Sequence, residues 1–97
     1  MQKLEINPLA EQELEHAVDF YNSRSPGLGN DFLDEFQKAL SLISLFPLAW
    51  PEQTKQTRRI LLHRFPFAVF YRIGEDSIQI IAIVHQNRNP DYWKDRI

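Results

Sequence analysis

"RRILLHRFPFAVFYRIGEDSIQIIAIVH", residues 58–85, decides the fold. It is rich in β-branched and aromatic side chains and carries the two-residue period of strands. Two breaks divide it. Pro66 separates "RRILLHRF" from "FAVFYRI", and the polar "GED" at 74–76 separates "FAVFYRI" from "SIQIIAIVH". The stretch therefore predicts three strands of an antiparallel meander. Within the last of them, "IQIIAIV" is apolar at nearly every position, which marks a central strand covered on both faces.

Upstream the period changes. "QKLEIN" (2–7) alternates polar and apolar, with Leu4 and Ile6 on one face, and reads as a short first strand. Asn7 suits a helix cap and Pro8 the first helical position. Ala10, Leu14, Ala17, Val18 and Tyr21 then recur at helical spacing, with Glu11, Glu13, Glu15 and Asp19 on the remaining positions. This amphipathic helix ends between Asn22 and Arg24. In "SRSPGLGN" (23–30), Pro26, Gly27 and Gly29 make a turn; no lysine follows and no P-loop spacing exists, so it is a connector. Phe32, Phe36, Ala39, Leu40 and Ile43 form the stripe of a second helix, widened by Leu33 and Leu42, which stops before Pro47. Two helices joined so tightly form an antiparallel hairpin. "PLAWPEQTKQT" (47–57) is a loop whose Trp50 lids the core, and "NPDYWKDR" (89–96) reads as a short terminal helix capped by Asn89 with Pro90 first. The expected fold is α+β: a helix hairpin packed on a small antiparallel sheet, in one domain spanning residues 1–97.

Composition narrows the function. With 43% hydrophobic and 25% charged residues the chain folds rather than staying disordered. It has no cysteine, which excludes disulfides, thiolate zinc sites and a cysteine nucleophile and fits a reducing cytoplasm. The N-terminus lacks a signal-peptide core, and no apolar run approaches the ~20 residues of a membrane span, so a cytoplasmic protein without membrane contact is expected. The net charge of −2 conceals a division. Residues 1–54 hold three basic and nine acidic residues, a balance of −6, while residues 55–97 hold eight basic and four acidic, a balance of +4. The second half presents a surface that suits a polyanion.

His16, His63 and His85 have no metal-ligand spacing, no serine sits in a nucleophile elbow, and no dinucleotide fingerprint exists. No metal and no small-molecule cofactor are expected. The remaining constellation is basic. Arg58 and Arg59 open one strand, His63 and Arg64 close it, Arg72 lies on the next, and His85 and Arg88 follow the last. The meander brings His85, Arg88 and Tyr92 toward the neighbouring strand. Arginines neutralise phosphate, histidine moves protons near neutral pH, and tyrosine stacks or hydrogen-bonds, a set with chemical logic for RNA. The bland alternative is that Tyr92 and Trp93 anchor the terminal segment while the charges stay solvated.

Taken in order, "SPGLGNDF" (25–32), "RFPFAVFY" (64–71) and "HQNRNPDYW" (85–93) resemble the RelE/ParE superfamily of type II toxin–antitoxin modules, nearest its plasmid-stabilisation branch. The resemblance covers nearly the whole chain. It implies helices on one face of an antiparallel sheet and a cognate antitoxin protein that wraps the toxin. Its target is either DNA gyrase, poisoned by ParE-like members, or messenger RNA on the ribosome, cut by RelE-like ones. If the chain is an enzyme it is a metal-independent endoribonuclease, with Arg59, His85, Arg88 and Tyr92 as the catalytic candidates. Arg58, Arg64, Arg72, Lys94 and Arg96 are candidates for target contact. Two positions depart from the nuclease pattern: Ala68 and Leu61 stand where RelE-like members carry cations. That loss weakens transition-state charge stabilisation and tilts the expectation toward the ParE-like, gyrase-inhibiting mode. A non-toxic module retaining only antitoxin binding is the third reading.

Overall fold

Asn7 starts the first helix: its Oδ1 accepts the Leu9 amide at 2.9 Å, and Pro8 fills the first helical position, where no amide partner is lost. The computed structural model describes residues 3–54, 56–88 and 92–96. Helix α1 spans Pro8–Arg24 and helix α2 spans Leu28–Leu45. Gly27 turns the chain between them at φ +87°, a conformation glycine adopts without strain. Gly29 lets the helices touch. A Cβ there would lie 2.2 Å from the Val18 carbonyl oxygen, and the Asn22 Oδ1 accepts the Gly29 amide at 2.8 Å. As Pro47 requires, α2 ends two residues earlier. No helix among the described residues is long and apolar enough to cross a membrane.

The strands are β1 (Lys3–Ile6), β2 (Arg58–Leu61), β3 (Phe67–Ile73) and β4 (Ser77–His85), in the order β1-β4-β3-β2. β2, β3 and β4 form the antiparallel meander expected from residues 58–85. β1 joins β4 in parallel, with Lys3 opposite Ser77 and Ile6 opposite Ile80, so β4 is flanked on both sides. Phe32, Phe36 and Ile43 of α2 pack onto Val69, Tyr71, Ile78, Ile80 and Ile83 on one face of the sheet. The opposite face presents Ala68, Phe70, Ala82 and Val84, covered in part by Trp93. A bulge sits between the faces. Phe70 opposes Ala82 and Tyr71 opposes Ile80, leaving Ile81 as the extra residue.

Three details differ from the sequence expectation. β2 ends at Leu61, so His63 and Arg64 stand in the bends beyond the strand rather than closing it. The described part of the terminal segment holds a 3-10 turn at Lys94–Arg96 in place of a helix; the expected cap Asn89 and first-turn Pro90 lie outside the described residues. Trp93 lies against Phe70 on the sheet while Tyr92 reaches Glu13 on α1. Finally, the Trp50 loop is fastened as well as packed. The Tyr71 hydroxyl donates to the Pro47 carbonyl at 2.6 Å, and Arg58 donates to the Trp50 carbonyl at 2.7 Å.

Candidate functional site

Alternation along β2 and β3 decides which side chains share the face away from the helices. Arg59 opposes Phe70, Leu61 opposes Ala68, and Ala68 opposes Val84, so all of these lie on one face. Trp93 covers the Phe70 end. The uncovered remainder is a hollow of about 350 Å³ that gathers Arg59, Leu61, Ala68, Val84, His85 and Arg88. Arg59, His85 and Arg88 thus meet across three elements, on a floor made apolar by Leu61 and Ala68.

His85 ends β4. Its Nδ1 accepts the Asn87 amide at 3.0 Å, so the neutral ring carries its proton on Nε2. The Phe67 ring meets it edge-on with centroids 5.1 Å apart. Arg88 is exposed, its guanidinium 4.6 Å above the Tyr92 ring. Neither Arg59 nor Arg88 pairs with a carboxylate among the described residues.

The other cations separate from this pair. Arg58 is bound to Glu52 at 3.2 Å and to the Trp50 carbonyl, where it holds the loop. Arg64 reaches Asp31 of α2 at 3.4 Å. Arg72 lines a different hollow beside Glu52 and Arg58, toward the far end of β3 from His85. Lys94 is exposed on the 3-10 turn. Arg96 does not stand on the rim: it is turned inward against Glu13 at 2.8 Å, with only 11% of its side chain exposed.

Tyr92 is also drawn away from the sheet hollow. Its hydroxyl donates to Glu13 Oε2, and it lines a second cavity of about 540 Å³ between α1 and the segment after β4. Phe20, Tyr21, Phe67 and Ile83 form the apolar wall of that cavity, while His16, His85 and Arg88 add polar rim. His85 and Arg88 line both hollows and so form the ridge between them. Burial first, then the hydrogen bond and charge of Glu13, push the Tyr92 phenol up to about 12. At neutral pH it is a fixed donor, already committed, with no proton to exchange.

Sequence reasoning missed Glu13. The signal was present: with Ala10, Leu14 and Ala17 it falls at helical spacing on the buried stripe of α1, and an acid on such a stripe requires a partner. Among the described residues no three histidine, aspartate or glutamate side chains gather as metal ligands.

No curated protein sequence matches the chain. In fold it resembles the solved chromosomal ParDE toxin–antitoxin system from P. aeruginosa, with a TM-score of 0.75 at 20% identity, over 88% of this chain and 96% of that one. The family model described as "ParE toxin of type II toxin-antitoxin system, parDE" matches residues 4–90, from the first strand through both helices and past the end of β4. The chain belongs to that family of type II toxins.

Proposed function

We propose that the protein acts as a growth-inhibiting toxin that binds DNA gyrase through the face holding Arg59, His85 and Arg88, and that it does not cut RNA. The observation that carries this reading is the make-up of the sheet hollow. Two guanidinium groups with no carboxylate partner among the described residues flank a floor of Leu61 and Ala68, and the Tyr92 phenol is bound to Glu13 on the other side of the ridge. Such a surface suits docking onto an acidic or phosphate-bearing partner. It lacks the convergent cations that stabilise the charge developing in phosphodiester cleavage. Ribosome-dependent cleavage stays as the second reading because His85, a proton-transfer group, shares the hollow with both arginines.

The same reading supplies an antitoxin partner. Leu42, Leu45, Phe46 and Leu48 are 42–71% exposed at the end of α2 and in the loop leading to Trp50. An apolar cluster of this kind suits a wrapping segment of a cognate antitoxin.

Two assays on the purified protein test the proposal. Inhibition of gyrase supercoiling, with no cut in messenger RNA on programmed ribosomes, is the expected pair of results. RNA cleavage by the wild type overturns it. Absence of both activities, together with tight binding of the adjacent gene product, would instead describe a module that has kept only antitoxin binding.

A further inference from the structure

A carboxylate on the buried stripe of a helix costs free energy unless its oxygens are satisfied. Those of Glu13 are. Oε1 accepts the Ile83 amide at 3.0 Å and Arg96 Nη1 at 2.8 Å; Oε2 accepts the Tyr92 hydroxyl and Arg96 Nη2 at 3.3 Å. Arg96 Nη1 in turn donates to the Ile81 carbonyl at 3.2 Å.

The location of these bonds matters. β1 pairs with β4 only as far as Ile6 opposite Ile80, and the Asn7 amide takes the Ile80 carbonyl. Beyond that point no strand among the described residues lies beside the outer edge of β4. The Ile81 carbonyl and the Ile83 amide, two residues apart, are the groups a neighbouring strand would engage. Here the Arg96 guanidinium and the Glu13 carboxylate take those places. One ion pair therefore closes the sheet edge and fastens the terminal segment at once. Through Tyr92 it reaches further, since the Tyr92 ring lies 4.6 Å beneath Arg88 and 5.3 Å from Arg96.

We propose that Glu13 is a positioning residue for the target-binding face: by holding Tyr92 and Arg96 it fixes the platform on which the Arg88 guanidinium rests. The proposal deepens the reading of Arg88 as a target contact and rests on it. Without the carboxylate, Arg96 becomes a buried cation with no counter-charge, held only by the Ile81 carbonyl, and turns toward water with the segment carrying Tyr92.

The test uses Glu13→Gln, which keeps the shape and one acceptor for Ile83, beside Arg88→Ala and the double variant. In the wild type, burial and the Glu13 hydrogen bond raise the Tyr92 phenol to about 12, and tyrosinate absorbance is expected to show an ionisation there. In Glu13→Gln, with circular dichroism unchanged, that ionisation moves down toward the ordinary range. Gyrase inhibition is expected to weaken about tenfold, the scale of one charge-assisted hydrogen bond. If Glu13 acts through Arg88, the double variant is no weaker than Arg88→Ala alone. Additive losses in the double variant would show a general structural effect and overturn the proposal. So would a Tyr92 ionisation unmoved by Glu13→Gln, or a downward shift with inhibition undiminished. A wild type inert toward gyrase removes the target reading, and the phenol titration then decides by itself whether Glu13 holds the segment.

Discussion

The indole of Trp93 lies over the ring of Phe70, centroids 4.3 Å apart and planes tilted by 33°. Trp93 is 1% exposed, yet its Nε1 has no hydrogen-bond partner among the described residues. The contact is therefore one of area and shape, and the polar end of the indole contributes nothing to it.

That asymmetry separates two substitutions. Trp93→Ala removes the cover from the second face of the sheet and costs about 3–5 kcal/mol, as large aromatic deletions in cores do. Trp93→Phe keeps most of the area and drops an unsatisfied donor, so its cost is expected to stay below about 1.5 kcal/mol. Urea denaturation of the three proteins measures both. Equal losses in the two variants would mean that the indole nitrogen is satisfied after all.

Alkaline pH probes the other aromatic of the segment. The Tyr92 phenol is raised to about 12 from an ordinary 10.0, chiefly by burial and then by Glu13. Folding thus favours the neutral form. The associated stability is complete below pH 10 and is lost as pH rises toward 12. Tyr71 and Tyr21, both raised by burial, act in the same direction. The urea midpoint is expected to fall across this window, and to fall less steeply in Tyr92→Phe, which has no proton to lose there. Identical slopes in the two proteins would contradict the assignment.

Gly29 sets the distance between the helices. In Gly29→Ala the new Cβ would stand 2.2 Å from the Val18 carbonyl oxygen and 2.6 Å from Asn22 Cγ. Backbone does not yield as a flexible side chain does, so α1 and α2 must separate. The cost is at least about 1–3 kcal/mol, as in overpacked cores. For a domain of this size each 1 kcal/mol lowers Tm by roughly 4–8 °C. A thermal melt unchanged by the substitution would show that the helices cross less tightly.

Charge reversal distinguishes the free arginines from the fastened ones. Arg59→Glu and Arg88→Glu are expected to weaken target binding and flatten its salt dependence while leaving Tm within a few degrees. Arg58→Glu should do the reverse, because Arg58 holds the Trp50 carbonyl and Glu52. Ala68→Arg restores a cation to the hollow and separates the two mechanisms. If the protein is a nuclease, cleavage rises; if it binds gyrase without cutting, ribosome-programmed cleavage is absent in both proteins.

Much of the fold was legible because its signals are local. The two-residue period of 58–85, the Asn7–Pro8 start and the Pro47 stop each act through neighbouring residues. The parallel partner of β1 was not, since nothing within "QKLEIN" specifies a strand some seventy positions away. The site divides along the same line. His85 and Arg88 could be placed together from the end of the last strand, whereas Arg59 was singled out by the family resemblance. The inward turn of Arg96 and the capture of Tyr92 could not, because both depend on a carboxylate from α1. That carboxylate was visible on the apolar stripe, but as an acid among several on one helix.

The parallel seam between β1 and β4 has a kinetic consequence. Among the described strands β1 comes first in the chain, and the strand it pairs with, β4, comes last. Ile6 cannot find Ile80 until both helices and the rest of the sheet have been made, so the defining contact of the sheet spans most of the chain and is slow to form. Arg96 must then arrive to close what β1 leaves open. Until β4 has been made, the nascent chain holds a helix hairpin and strands that lack this seam. The face carrying His85 and Arg88 is thus assembled together with the last seam of the sheet, not before it.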